Sequence, residues 1–200
     1  MNYLAHAYLS FNHPEILIGN LISDFVKGKK KFDYPPGIQK GISLHRAIDT
    51  FTDKHPATKE AKNIFRPVYR LYSGAFVDVI YDHFLAGDEK EFTEDSLFSF
   101  SLKVYSTIER NSQWLPEKFA GMFPYMESQN WLFNYRTKWG TEKSLQGVVR
   151  RSAYLTESKS AYQLFEQHYQ LFQQYYRQFW SDLKPFAKRQ YELLLASDHP

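Results

Sequence analysis

Two residue pairs, each four apart, carry the most chemically suggestive pattern in this sequence: His45/Asp49 and Asp78/Asp82. Both fall in a stretch from Ile38 to Ala86 that also holds Arg46, Asp53, His55 and His83. Positions i and i+4 of an α-helix share a face one turn apart, so each pair aims two polar groups in one direction. Asp78 and Asp82 are like charges, which at this spacing cost a helix roughly 0.2–0.5 kcal/mol. No Lys or Arg lies within four residues to relieve them; a divalent cation or a shared proton would. Asn2/His6 and Asn20/Asp24 repeat the spacing near the N-terminus, and five of the seven histidines lie in the first 83 residues. One His/Asp pair alone is more often a surface ion pair. Four polar pairs on otherwise apolar helices, where unpaired polar groups are costly to bury, are most simply explained by convergence on one centre.

The chemistry available there is bounded by composition. With no Cys among 200 residues, disulfides, thiolate metal sites and Cys nucleophiles are excluded. A metal would be held by His, carboxylate and amide groups, which favours Mn, Mg, Fe or Zn in a hydrolytic site. Neither Ser43 nor Ser73 stands in a nucleophile elbow. Gly28-Lys29-Lys30-Lys31 lacks the glycine spacing of a phosphate loop.

The elements that must position these residues read as helices throughout, so an all-α fold in a single compact domain over residues 1–200 is predicted, with catalytic residues in 1–86 and supporting helices in 87–200. Residues 2–10 form a short helix containing His6. Pro14 opens a second, with Ile16, Leu17, Asn20, Leu21 and Asp24 at helical spacing, ended by Gly28. A helix from about Ile38 to Thr52 carries His45, Arg46 and Asp49. Pro56 opens one to about Ile64, and Pro67 opens another ending near Gly87. Further on, helices are expected near 97–110, 131–139 and 142–155. The last segment is one long aromatic stripe: Tyr162, Phe165, Tyr169, Phe172, Tyr176, Phe179, Leu183 and Phe186. Such a stripe reads first as a core-facing helix and second as a dimer-forming coiled coil, with Pro185 expected to kink or break it. No strand alternation, hairpin signal or internal repeat is present.

No apolar run approaches the roughly 18 residues of a spanning helix, and the start lacks a basic segment followed by an apolar core. These features predict a cytoplasmic protein with no membrane partner. The net charge of +3 is unevenly spread: between Lys27 and Arg70, 11 Lys/Arg face 4 Asp/Glu, a local excess of +7. Lys59, Lys62, Arg66 and Arg70 form a stripe if that helix is continuous. A positive surface around an acidic cleft fits an acidic, phosphate-bearing partner. No nucleic-acid-binding motif is recognisable, so nucleic acid is not expected.

The segments Met1-Asn2-Tyr3-Leu4-Ala5-His6, Gly19-Asn20-Leu21-Ile22-Ser23-Asp24-Phe25-Val26-Lys27-Gly28, Gly41-Ile42-Ser43-Leu44-His45-Arg46-Ala47-Ile48-Asp49, Thr52-Asp53 and Asp82-His83-Phe84-Leu85 closely resemble the acyl carrier protein phosphodiesterase family in order and spacing. Beyond residue 86 the likeness rests on Gln129-Asn130-Trp131-Leu132, Tyr135-Arg136 and the aromatic C-terminal segment. The resemblance implies hydrolysis of the phosphodiester joining 4′-phosphopantetheine to a serine of holo-acyl carrier protein. It also implies a distant likeness to HD-type metal-dependent phosphohydrolases, with Mn²⁺ as the expected metal and Mg²⁺, Fe²⁺ or Co²⁺ as alternatives. The usual HD order is inverted here as Asp82-His83, with His6 and Asp24 preceding it.

On that reading His6, Asp24, His45, Asp82 and His83 are the ligand candidates and are expected to meet around one cation-sized space. Asp49 would orient His45, Asp78 would act as base or supporting group, and Arg46 would neutralise phosphoryl oxygens. The acidic carrier would dock on the Lys27–Arg70 surface. Two rival readings remain: an HD-type phosphohydrolase acting on a nucleotide, and a catalytically silent helical adaptor for an acidic partner.

Overall fold

Prolines open three helices of the first half, at first-turn positions where a missing N–H costs nothing. Pro14 starts α2 (Pro14–Ile22), Pro36 starts α3 (Pro36–Lys54) and Pro56 starts α4 (Pro56–Tyr69). Ahead of α2 and α4, His13 and His55 cap the helix, each accepting through Nδ1 from a backbone N–H, of Ile16 at 3.4 Å and of Ala57 at 3.2 Å. The computed structural model describes residues 2–196, and among them there are helices and no strands, as the all-α reading predicts. Before α2 lies α1 (Tyr3–Tyr8). After α4 come α5 (Ser73–Ala86), α6 (Glu94–Arg110), α7 (Glu117–Ser128), α8 (Trp131–Asn134), α9 (Lys138–Arg151), α10 (Lys159–Gln167) and α11 (Tyr169–Ala196). No helix among the described residues is long and apolar enough to cross a membrane.

Two glycines decide how the first helices meet. A Cβ on Gly19 of α2 would lie 2.8 Å from Gly41 Cα, and one on Gly41 of α3 would lie 2.8 Å from Gly19 Cα. Only glycine at both positions lets the two backbones touch. The aromatic stripe faces inward, with Phe165, Phe172 and Phe179 fully buried. It packs ring on ring against α3, α4 and α5, pairing Phe51 with Phe186 at 4.5 Å, Phe65 with Phe172 at 5.2 Å and Tyr81 with Phe179 at 4.8 Å. One hydrophobic cluster therefore runs from Leu4 to Ala187.

Several expectations about helix boundaries change, among them those at 131–139 and 142–155, where the helices run Trp131–Asn134 and Lys138–Arg151. The stripe is two helices, because α10 ends at His168 (φ −110°, ψ 22°) before α11 begins. Pro185 lies inside α11, and Pro67 lies inside α4 instead of opening a new helix. The carbonyls these prolines leave unpaired, four residues earlier, belong to the exposed Ser181 and Asn63, where water can satisfy them. The break before α5 falls instead at Arg70, whose positive φ of 47° stops the helix.

Candidate metal centre

Three elements bring the centre together. His6 comes from α1 and His45 and Asp49 from α3; Asp24 sits on the single 3₁₀ turn Ser23–Phe25 that extends α2. The two imidazoles stack with centroids 3.9 Å apart and planes 15° apart. Both are buried, at 3% exposure for His6 and 4% for His45.

One residue orients both rings. His45 Nδ1 lies 2.6 Å from the main-chain oxygen of Asn20, which can only accept, so Nδ1 carries the hydrogen. His6 Nδ1 lies 2.7 Å from Asn20 Oδ1. The amide orientation is set by its other end: Asn20 Nδ2 donates to the His6 carbonyl at 2.8 Å and to Ser10 Oγ at 3.1 Å. His6 Nδ1 must therefore donate as well. In the neutral rings this leaves both Nε2 lone pairs facing one place, the form in which imidazole ligates a metal.

The acids stand on that side. His45 Nε2 is 2.9 Å from Asp49 Oδ2 and 3.2 Å from Asp24 Oδ1. His6 Nε2 is 3.3 Å from Asp49 Oδ1 yet buried with no hydrogen-bond partner. Ligand atoms of His6, His45 and Asp49 all lie within 4.8 Å of one another. An orphaned buried nitrogen beside a second imidazole nitrogen and a carboxylate fits a divalent cation. Without one, a proton takes the place. Burial opposes charge on His45, but Asp24 and Asp49 outweigh it and raise the ring to about 9. Burial and the neighbouring His45 push His6 down to about 4. The hydrogen bond from His45 lowers Asp24. Burial works against the Asp49 charge, yet the positive charge around it, with His45 hydrogen-bonded to it, holds it below its ordinary value.

The five expected ligands divide. His6, Asp24 and His45 come together with Asp49, which engages the Nε2 side of both rings, whereas the orienting acceptor on His45 is the Asn20 carbonyl. Asp82 and His83 lie elsewhere. Asp82 is fully buried under the start of α1, accepting from Leu4 N at 2.7 Å and Ala5 N at 3.2 Å. These are two of the amides a helix start leaves without intrahelical partners. Burial pushes its carboxyl up to about 7 against those two bonds. His83 Nδ1 lies 2.8 Å from the Tyr135 carbonyl and 2.9 Å from Thr141 Oγ1, and its Nε2 lies 3.0 Å from Tyr169 Oη. Both ring nitrogens are thus engaged between α5, α9 and α11, away from the His6–His45 stack.

Asp78 is half-buried on α5; burial, and the Asp49 charge after it, push its carboxyl up. Arg46 is exposed and donates to the Val26 carbonyl at 3.0 Å, beside the turn that carries Asp24. Asn20 is the member that the sequence reading placed in a polar pair with Asp24 but gave no role. Its signal was a fully buried amide within the apolar run Ile16–Ile22.

The model of the family described as acyl carrier protein phosphodiesterase matches residues 1–183. The chain belongs to that family. It is similar to an acyl carrier protein phosphodiesterase of Photorhabdus laumondii, 35% identical over 90% of this chain and 91% of the relative. It also resembles the one from Enterobacter sp. (strain 638), 32% identical over 95% of this chain and 99% of the relative. No solved structure matches the chain. The matched region spans all four residues of the centre and both glycines at the α2–α3 crossing, so the family likeness and the geometry concern the same part of the molecule.

Proposed function

We propose that this chain hydrolyses the phosphodiester linking 4′-phosphopantetheine to a serine of holo-acyl carrier protein, giving apo-carrier and free 4′-phosphopantetheine. The family match supports the activity. The observation that carries the chemistry is the pair of Nε2 nitrogens facing Asp49, the one of His6 buried without a hydrogen-bond partner. His6, His45 and Asp49 would hold a divalent cation, with Mn²⁺ the first choice. When bound, the cation supplies positive charge for the phosphoryl oxygens and a water acidified toward neutrality.

The protein's own groups do the rest. Asn20 keeps both imidazoles in the ligating tautomer. Asp24, 75% exposed at the edge of the centre, would take the proton of the attacking water, with Asp78 the alternative base. The Arg46 guanidinium, on the rim, offsets charge that builds on the phosphoryl group. Lys27, Lys29 and Lys30 follow Asp24 within six residues and are exposed, so the acidic carrier would meet positive charge as its serine reaches the centre. Lys59 and Arg66 on α4 are exposed as well and would add to the positive charge the carrier meets. The enzyme would act in the cytoplasm, where its carrier substrate resides.

The test is incubation of holo-carrier with the enzyme and Mn²⁺, read by intact mass. Loss of the 4′-phosphopantetheinyl mass is expected, stopped by chelation and by Asp49→Ala. An unaltered holo-carrier, with turnover of free nucleotides instead, would replace this reading with the nucleotide phosphohydrolase.

A further inference from the structure

A cavity of about 640 Å³ opens between α7, α8 and α9 and is closed at one end by Asn2 and Tyr3. That volume is in the usual range for small-molecule sites, about 300–1,000 Å³. The cavity and the metal centre both draw on α1, where Tyr3, which lines the cavity, stands three residues before His6. Tyr3 Oη donates to Met122 Sδ at 3.6 Å, and its ring meets Phe119 at 6.2 Å. Phe119 in turn meets Phe25, the neighbour of Asp24, at 5.7 Å. The Tyr3 hydroxyl is raised to about 12 mainly by burial, with the Arg151 charge lowering it and the Asp24 charge raising it.

The lining is chemically lopsided. It includes Lys143, Arg150 and Arg151 and no Asp or Glu. None of the three cations is paired with a carboxylate among the described residues; Lys143 instead lies 5.9 Å over the Trp139 ring. Between them stand the flat rings of Trp131 and Trp139 and the neutral polar groups of Asn134 and Ser144. Trp139 is 57% exposed, an apolar area that a ligand would cover.

We infer that this cavity receives the pantetheine arm of the substrate, with the phosphate end at Tyr3 and Arg151 beside the metal centre and the thiol end toward Trp139. The inference rests on the proposed hydrolysis and adds where the leaving fragment is held. The arm is a neutral chain of two amides, a hydroxyl and a geminal dimethyl group. Such a chain suits aromatic walls with a few hydrogen-bonding side chains. The unpaired cations suit its phosphate, which gains a second negative charge when the ester to serine is cleaved. A site that binds the arm in line with the centre would also hold the phosphodiester in place for attack.

The experiment separates binding from turnover. Free pantetheine, which lacks phosphate and needs no metal, is titrated into the metal-free protein and followed by Trp fluorescence and calorimetry. Saturable binding is expected, weakened at least tenfold in Trp139→Ala and in Ser144→Phe; 4′-phosphopantetheine should bind more tightly than pantetheine and lose that advantage in Arg151→Glu. In steady-state assays with Mn²⁺, Ser144→Phe should lower kcat/KM for holo-carrier at least tenfold further than for bis(4-nitrophenyl) phosphate. Because Trp139 is largely exposed, its variant reports even if Ser144→Phe folds poorly. Pantetheine binding unaffected by both variants, or holo-carrier turnover unaffected by them, would overturn the inference while leaving the hydrolysis standing. Pantetheine binding at this site in a protein that cannot cleave holo-carrier would support the cavity and sink the proposed function.

Discussion

Gly19→Ala tests whether the α2–α3 crossing sets up the metal centre. The new Cβ would lie 2.8 Å from both Gly41 Cα and Ile42 N, and closer still to the Ile38 carbonyl oxygen. Ordinary contacts of this kind are about 3.5–4.0 Å, so α2 must retreat by about 1 Å. Asn20 is the next residue, and its carbonyl moves with the helix. The 2.6 Å bond to His45 Nδ1 would open to about 3.6 Å, past hydrogen-bond range. His45 would lose its orienting acceptor, and the Asn20 amide that holds His6 would shift too. Loss of such an orienting partner typically weakens metal binding about 10–100-fold, and the overpacking should cost about 1–3 kcal/mol of stability. The assay is Mn²⁺ titration by calorimetry at fixed pH, alongside thermal unfolding of the metal-free protein. Gly121→Ala is the control: nothing lies within 4 Å of its added Cβ, so metal affinity should hold and stability should rise by up to about 1 kcal/mol. A folded Gly19→Ala protein that binds Mn²⁺ as well as wild type would refute the reasoning.

Four further outcomes are expected. Metal entry must displace the proton on His45, whose pKa is raised to about 9, so Mn²⁺ affinity should climb up to about tenfold per pH unit from pH 6.5 towards 9; a flat calorimetric profile there would count against His45 as a ligand. Asp24→Ala should abolish hydrolysis of holo-carrier at saturating Mn²⁺. It should cost the metal-free fold less than about 1 kcal/mol, since the His45–Asp24 pair is mostly solvated on the Asp side; near-wild-type turnover would remove Asp24 from the mechanism. Asp82 holds its proton more tightly folded than unfolded, so its contribution to stability is present below about pH 4 and lost as pH rises through about 7. The stability gap between wild type and Asp82→Asn should therefore change across that window in denaturant titrations, and a constant gap would show that Asp82 is not titrating in the fold. Charge reversal at Lys59, Lys62 and Arg66 should slow carrier association and flatten its salt dependence far more than it affects a small diester; equal losses on both substrates would place these residues in the active site.

The all-helical class, the inward face of the aromatic stripe and the shared face of His45 and Asp49 were legible in the sequence because each depends on local helical spacing. His45 and Asp49 share a face of α3 by the 3.6-residue period alone. The polar groups of His6 and Asn20 announce themselves by interrupting apolar runs where an unpartnered polar group would be costly. Helix stops were less legible: Pro67 and Pro185 are local signals, but whether they break a helix depends on which residues face water, and that is a property of the packed molecule. The fate of Asp82 and His83 was decided entirely by tertiary structure. Asp82 was a plausible ligand by its spacing to Asp78 and His83 by the family resemblance, yet Asp82 is drawn to the unpaired amides of Leu4 and Ala5, 78 and 77 residues away. His83 is held by Tyr135, Thr141 and Tyr169, 52, 58 and 86 residues away. A buried carboxylate or imidazole takes whichever partner the fold places beside it, and competition among remote donors leaves no periodic trace in the chain. The cavity has the same origin: its wall joins residues 2–3 to residues 122–151, and only the packing of α1 against the helices of the second half creates the space between them.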